Sequence, residues 1–391
     1  MFSSRFSSHH QTRSLRAAGL ATAVCAVAAV SVACGSAPQE TAGGASKAAT
    51  ATSAQDLGGL DALVAEAKKE GQLNTIALPP DWANYGELIS AFTAKYGIKI
   101  NNENPDGSSS DEITAVKTRK GQERAPDVVD ISQAFALSGA QEGLFAPYKV
   151  QTWDKLPDTL KDPNGAWYND YGGYISIGCD AKKIKTCPQT FADLLTPEYK
   201  GKVALNGNPT KSGSAFGGVF AAALAGGGSF DDIQPGLDFF KRLKDSGNYN
   251  PVETTTATVE KGETPISIDW DYLNAKYADE FNAKGLDWHV VVPTDGKYAA
   301  YYVQAINKDA PHPAAARLWQ EFLFSPEGQN LYLKGYARPA LLPAMTADKT
   351  VDATLVTKLP EVEGTPTFPT DAQIKKAQEA VANGWGAAVS G

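Results

Sequence analysis

From about Leu57 onward the chain repeats one local pattern: an amphipathic helix stopped by glycine, then a short apolar strand. This repetition constrains the fold more than any other feature. Leu60, Leu63, Val64 and Ala67 fall at helical spacing and end at Gly71, after which residues 73–78 read as a strand. Asn84 is placed to cap a second helix carrying Leu88, Ile89 and Phe92 and ended by Gly97, and residues 98–101 form the next strand. Asp111 can cap a third helix through Ile113 and Val116, and beyond Pro126 the run Val128-Val129-Asp130-Ile131 reads as a buried strand. Strands alternating with helices predict an α/β fold on a mostly parallel, doubly wound sheet.

Ligands of such sheets bind beyond the carboxyl ends of the strands. The loops concerned, residues 79–85, 105–110 and 132–135, offer Trp82, Asn84, Tyr85, Ser108, Ser109, Ser110 and Ser132. Each is ordinary turn chemistry when taken alone, and their common location makes them candidate ligand contacts.

A second region, from residue 202 to about 300, repeats the pattern. Residues 203–205 read as a strand, and the turn Asn206-Gly207-Asn208-Pro209-Thr210-Lys211-Ser212-Gly213-Ser214 leads into a small-residue helix over 215–225. Helix-start N–H groups, the hydroxyls of Thr210, Ser212 or Ser214 and the close approach allowed by Gly213 make an anion seat; simple helix capping is the alternative. The spacing is not that of a nucleotide-binding P-loop, since Ser212 stands where the second glycine belongs. Residues 265–268 lead into Asp269-Trp270-Asp271-Tyr272. Two carboxylates around an indole can hold an ammonium group, or Asp271 can cap the helix that follows. Tyr301 and Tyr302 adjoin a return strand over 303–306, where neighbours point to opposite faces, so one of the two can reach a cleft.

The N-terminus belongs to another grammar. Arg5, Arg13 and Arg16 are the charges ahead of an apolar run over 17–33, the pattern of an export signal, with an uncleaved membrane anchor as the alternative. Its end, Val32-Ala33-Cys34-Gly35-Ser36, resembles the lipobox of bacterial lipoproteins, with Ser31 where leucine is usual. That resemblance implies a lipid on Cys34 as the first mature residue. Residues 35–55, rich in Ala, Gly, Ser and Thr and lacking aromatics, read as a flexible tether reaching about 25 Å. Loss of residues 1–33 takes the formal charge from −8 to −11 and leaves Cys34, Cys179 and Cys187. With Cys34 acylated, Cys179 and Cys187 are expected to pair in an oxidising compartment, against a reading as two buried thiols. The acidic balance opposes nucleic-acid binding.

Taken in order, Glu66-Ala67-Lys68-Lys69-Glu70-Gly71, residues 208–214 and Ile306-Asn307-Lys308-Asp309-Ala310-Pro311-His312-Pro313, continuing through Trp319 and Phe322 to Ser325-Pro326-Glu327-Gly328-Gln329, carry a resemblance over most of the chain. It resembles the solute-binding lipoproteins of bacterial ATP-binding-cassette importers, in the group handling polyamines, ferric iron, thiamine, sugar phosphates and aminoalkylphosphonates. The resemblance implies a two-lobed periplasmic-binding-protein-like fold of type II. Each lobe would be a mostly parallel sheet flanked by helices, with a two-segment hinge near 171–177 and 303–306. It divides the chain into a signal (1–33), a tether (34–56), a first lobe (57–172), a second lobe (173–302) and a return to the first lobe with C-terminal helices (303–391). Among the late helices, Thr370 and Gln373 form a capping box and Gly384 is a candidate end.

The implied function is capture of a small polar, amine-bearing solute, with a phosphonate or phosphate group as a further possibility, by a monomer. Delivery is to permease and ATPase subunits, from a lipid anchor on the outer face of the cytoplasmic membrane or from the periplasm; ferric-iron or thiamine binding is the alternative. The expected contacts are Trp82, Asn84, Tyr85, Ser108, Ser109, Ser132, Thr210, Ser212, Gly213, Ser214, Trp270, Asp271, Tyr301 and Tyr302. No cofactor, resident metal or catalytic residue is expected. An exported hydrolase is disfavoured: beyond residue 33 the histidines are His289 and His312, and neither a Gly-x-Ser-x-Gly elbow nor a His-Glu-x-x-His motif occurs. His312, between two prolines, is expected in a surface turn that would hold a base poorly.

Overall fold

The computed structural model describes residues 47–362 and 367–389. The expected signal, Cys34 and the expected tether up to residue 46 lie outside the described residues. Residues 47–56, which composition places in the tether, are folded. Helix α1 (Lys47–Thr50) and the 3-10 turn Ala54–Leu57 bury Ala48, Ala51 and Ala54. The cause is Arg317, a fully buried guanidinium that donates to the carbonyls of Ala51 (2.8 Å), Ala49 (3.1 Å) and Pro313 (2.9 Å). A buried cation needs acceptors, and this segment supplies two of them.

The first helix-strand pairs follow the sequence pattern. Helix α2 (Leu60–Glu70) ends at a left-handed Gly71 and feeds β1 (Gln72–Ile76); α3 (Tyr85–Tyr96) ends at Gly97 and feeds β2 (Lys99–Glu103), parallel to β1. Asn84 precedes α3 but does not cap it through its side chain; its Nδ2 donates to Leu331 O (2.9 Å) instead. Helix α4 (Ser109–Thr118) is capped by Ser108, with Asp111 as the reciprocal member of the capping box, so the cap lies three residues before the expected one. Then come β3 (Val128–Ser132), α5 (Gln133–Gln141) and β4 (Phe145–Ala146).

The 13-residue strand β5 (Tyr168–Asp180) is buried along its whole length and joins two regions of sheet. Its first half pairs with β10 (Ala299–Asn307) and its second half, from Ile175, with β8 (Ile266–Trp270) and β9 (Trp288–Val291). Between these lie β6 (Val203–Leu205), α6 (Gly213–Ala225), α7 (Gln234–Asp245), β7 (Tyr249–Asn250), α8 (Thr256–Lys261) and α9 (Asp271–Asn282). The strand order is β3-β10-β5-β8-β6-β7. Two lobes therefore gather around the two ends of β5, as an α/β fold of this type requires. In detail the pairings differ from the mostly parallel expectation: β1–β2, β6–β7 and β6–β8 are parallel, whereas every pairing of β5 and β10 is antiparallel. A strand leaving one lobe and a strand returning to it must run in opposite senses. The partner of β5 changes between Tyr174, which faces Ala299 of β10, and Ile175, which faces Trp270 of β8.

Cys179 and Cys187 are joined in a disulfide at the far end of β5. Helices α10 (Pro313–Leu323) and α11 (Pro326–Lys334), strand β11 (Arg338–Pro339) and the short α12 (Leu342–Ala347) and α13 (Ala353–Val356) follow. His312 is buried rather than in a surface turn. Its Nδ1 meets Asp127 Oδ2 (2.9 Å) and its Nε2 meets Glu123 (3.1 Å) and Gln72 (2.9 Å), which fastens the start of α10 to β1 and β3. Helix α14 (Asp371–Val389) begins at the Thr370–Gln373 capping box and packs on α5 of the first lobe and α7 of the second. Gly384 does not end it; a Cβ there would approach Leu237 Cδ1 to 2.7 Å, so glycine serves close helix packing.

Candidate functional site

The loops after β1, β2, β6 and β7, the middle of β3 and the N-terminal parts of α4, α8 and α9 converge on one cavity of about 370 Å³ between the lobes. This is the position that open α/β sheets give to ligands. Backbone strain is concentrated in the first-lobe loops: Ala77, Ala83, Asn84 and Asn104 all hold positive φ, of 57°, 45°, 67° and 43°. Such conformations cost of order 1 kcal/mol each for residues with a Cβ and accumulate where geometry serves binding.

Carboxylates dominate the lining. Asp81, Asp106, Glu112 and Asp130 come from the first lobe and Glu253 from the second, while no lysine, arginine or histidine lies among the described lining residues. Glu112 and Asp130 form the buried inner end: Glu112 Oε2 accepts the Asp130 N–H at 2.9 Å. Burial, and then the Asp130 charge, push the Glu112 carboxyl well above its usual range; burial, and then Asp170, do the same to Asp130. One Asp130 oxygen, Oδ2, accepts from the Tyr171 hydroxyl (2.8 Å), and Oδ1 is buried without a protein partner. Glu253 is raised by burial and by Asp106, which faces it from the other lobe. Aromatic surface comes from Trp82, Tyr277 and Tyr302, and hydroxyls from Ser108, Ser109, Ser212 and residues 254–256.

Of the expected contacts, Trp82, Ser108, Ser109, Ser212, Gly213 and Tyr302 line this cavity. Ser132 and Trp270 lie behind it, around a much smaller void that Gly213, Tyr301 and Tyr302 also touch. As alternation along a strand requires, the two adjacent tyrosines diverge: Tyr302 reaches the cavity and Tyr301 packs against Phe368.

The others are spent elsewhere. Asn84 is bonded to Leu331. Tyr85 is fully buried, its hydroxyl against Tyr332 (3.1 Å) and Gln304 (2.9 Å). Thr210 is exposed and bonded to Asn208. Ser214 Oγ donates to Asp269 Oδ1 (2.5 Å) beneath the cavity, and Ser212 Oγ is occupied by Asn206 O and the Ala215 N–H. The hydroxyl part of the anion seat is thus consumed by internal bonds, leaving helix-start N–H groups. Asp269 and Asp271 do not make the expected ammonium site around Trp270. Asp269 is held by Ser214 and Asn206, with burial pushing its carboxyl up to about 7. Asp271 pairs with Arg338 and accepts the Tyr174 N–H (3.0 Å), an approach possible because Gly173 lacks a Cβ. It stands inside α9 and is not its N-cap.

Sequence reasoning missed Asp81, Asp106, Glu112, Asp130, Glu253 and Tyr277. Asp81 and Asp106 lie in the very loops singled out for hydroxyls and rings. Asp130 carried the clearest signal, a lone charge inside the run Val-Val-Asp-Ile.

Comparison with known proteins agrees with the fold. The sequence profile described as bacterial extracellular solute-binding protein matches residues 123–359. Iron uptake protein A1 of Synechocystis sp. is 24% identical over 305 residues, 74% of this chain and 82% of that protein. A Salmonella typhimurium periplasmic protein assigned to 2-aminoethylphosphonate binding is 25% identical over 254 residues, 63% of this chain and 70% of its own length. The solved structure of the periplasmic binding protein AfuA from Actinobacillus pleuropneumoniae, with fructose-6-phosphate bound, superposes with a TM-score of 0.64. That superposition covers 81% of this chain and 98% of AfuA at 18% identity.

Proposed function

Since the chain belongs to the family of bacterial extracellular solute-binding proteins, we propose that it is the receptor of an ATP-binding-cassette importer. In this reading it captures a small amine-bearing solute between its lobes and hands it to the permease. The observation that carries the amine is the cavity lining, five carboxylates and three aromatic side chains with no basic residue. Such a lining raises the local concentration of cations and repels anions, and an indole face adds cation–π attraction. Binding alters no covalent bond; the solute shifts the lobes toward closure by its differential affinity for the closed state.

A zwitterionic aminoalkylphosphonate is the second reading. The starts of α4 and α6, at Ser108–Ser109 and Ser212–Gly213, open on the same cavity and offer N–H groups to an anionic end. The Salmonella relative supports it. Ferric iron stands third despite the Synechocystis relative: burial pushes the Tyr302 hydroxyl well above its usual range, against a phenolate, and no three His, Cys, Asp or Glu side chains converge as a metal shell among the described residues. Thiamine remains a test compound. Export with a lipid on Cys34, and action as a monomer, complete the proposal.

A thermal-shift panel of putrescine, spermidine, 2-aminoethylphosphonate, thiamine, glucose-6-phosphate and ferric citrate tests it. Ligand at a hundred times its Kd adds about 2.7 kcal/mol, a shift of a few degrees at this size. An amine is expected to give that shift. Stabilisation by glucose-6-phosphate or ferric citrate, with no response to any amine, would overturn the reading.

A further inference from the structure

Two of the cavity's recognition groups, Trp82 and Asp130, come from different elements and are held by a residue outside the lining. The Trp82 indole N–H donates to the Tyr171 hydroxyl (2.8 Å), and that hydroxyl donates to Asp130 Oδ2 (2.8 Å). Along this hydrogen-bond chain the indole N–H can only donate, so the phenol accepts there, and with Asp130 ionised its single proton goes to the carboxylate. Tyr171 is fully buried, and its ring stacks parallel to that of Tyr302, a third lining group, at 5.6 Å and 2°. Its backbone belongs to β5, the strand common to both lobes. One side chain thus touches three lining residues, Trp82, Asp130 and Tyr302, from the strand about which the lobes are joined.

We propose that Tyr171 is a positioning residue for solute recognition, setting the indole of Trp82 and the carboxylate of Asp130 in fixed register so that a protonated amine meets both. The inference rests on the amine reading above. The titratable groups around Asp130 are Glu112 on α4, Asp170 and Tyr171 on β5, Tyr85 on α3, Tyr272 on α9, Tyr302 on β10 and Tyr332 on α11, and none is a cation. The Tyr171 hydroxyl therefore works against burial and the Asp170 charge to favour the ionised Asp130. Removing it leaves a buried carboxylate oxygen and the indole N–H of the partly buried Trp82 without that partner.

The test is calorimetric titration of putrescine and of 2-aminoethylphosphonate into the full chain between pH 5.5 and 8.5. Wild type is compared with Tyr171→Phe, Trp82→Phe and Tyr148→Phe. Tyr148 is the matched control, since its hydroxyl is also buried and bonded to a carboxylate, Glu321 (2.8 Å), outside the cavity lining. Tyr171→Phe is expected to weaken amine binding about 10- to 100-fold at pH 7 and to move the pH midpoint of binding alkaline. Trp82→Phe, which removes the N–H end of the chain and leaves Tyr171 in place, is expected to move the midpoint the same way by less. Tyr148→Phe lowers stability without moving it. Each shift is read against wild type on the same amine, so the solute's own titration cancels. If wild type binds amine while neither the Tyr171 nor the Trp82 variant moves the midpoint, Tyr171 has no positioning role and the amine reading stands. If wild type binds neither compound, both readings fall.

Discussion

The two walls of the cavity are made differently. The first lobe contributes four of the five carboxylates and the large indole: Asp81, Trp82 and Asp106 from loops that hold four strained non-glycine residues, Glu112 from α4 and Asp130 from β3. The second lobe contributes Glu253, the small groups around Gly213 and the hydroxyls of residues 254–256. Four carboxylates and the strain on one side, and hydroxyls, Tyr277 and a single carboxylate on the other, fit a division of labour under the proposed function, in which the first wall selects the solute and the second closes on it. Closure is built from short-range contacts. Thr256 donates to Asp81 across the cavity, and Gly213 sits so close to Ser132 that a Cβ there would overlap the serine's own Cβ and come within 3.2 Å of the Tyr302 hydroxyl.

Variants can break or sharpen that contrast. The largest effect is expected behind both walls: Asp271→Asn deprives the half-buried Arg338 of its partner, costing about 3–5 kcal/mol of stability while the folded fraction keeps its amine affinity within a few-fold. Chemical denaturation read beside calorimetry separates the two. Next is Asp130→Asn, which removes the inner charge and is expected to cost about 30- to 100-fold in affinity for putrescine, or about 2–3 kcal/mol, whereas Glu253→Gln on the opposite wall costs under tenfold. Equal losses would erase the division of labour. Gly213→Ala should hold the lobes apart and weaken binding about tenfold, with a larger radius of gyration in small-angle scattering; Ser132→Gly in the same chain should restore both. Thr256→Val removes a single cross-cavity hydrogen bond and should cost about 0.5–1.5 kcal/mol of closure, seen as a faster off-rate with an unchanged on-rate.

pH adds an effect of a different kind, on stability rather than on affinity. Burial raises the carboxyls of Asp170 and Asp269 to about 7 from an ordinary value near 3.8. Between about pH 4 and pH 7 the folded chain then holds protons that the unfolded chain has released, so stability falls as pH rises through this window. His312, raised by Asp127 and Glu123 against the opposing pull of burial, adds stability that is present below about pH 6.5 and lost above its folded value, which is the same direction. A melting temperature lower by a few degrees at pH 7.5 than at pH 5 is expected; one that climbs over this range would contradict these assignments.

What the sequence disclosed and what it hid divide along physical lines. Helices ended by Gly71 and Gly97, the strand after each and the strand 128–131 were legible because hydrophobic period and left-handed caps are local properties. The antiparallel course of β5 and β10 was not, because pairing is settled between residues more than a hundred positions apart. The site was half legible. Position in a loop after a strand pointed to Trp82, Ser108, Ser109, Ser212 and Gly213, all of which line the cavity. It could not show that Ser214 and Asp271 spend their polar groups inward on Asp269 and Arg338, since both partners are remote in the chain. Charge was sought in the conspicuous Asp-Trp-Asp triplet, whereas the carboxylates that face the cavity are scattered singly, and a single acidic residue in a loop looks like solvation. The docking of residues 47–56 was hidden likewise, because its cause is a lone arginine 266 positions beyond Ala51.

The most direct measurement is calorimetric titration of the wild-type chain at pH 7 with putrescine, with 1,4-butanediol as its uncharged counterpart and with inorganic phosphate. Micromolar or tighter binding of putrescine, weakened by salt, with no heat from the diol or from phosphate, is the expected result for a cavity whose first wall selects cations. Binding of phosphate without putrescine, or of putrescine and the diol alike, would show that the carboxylates do not govern selection.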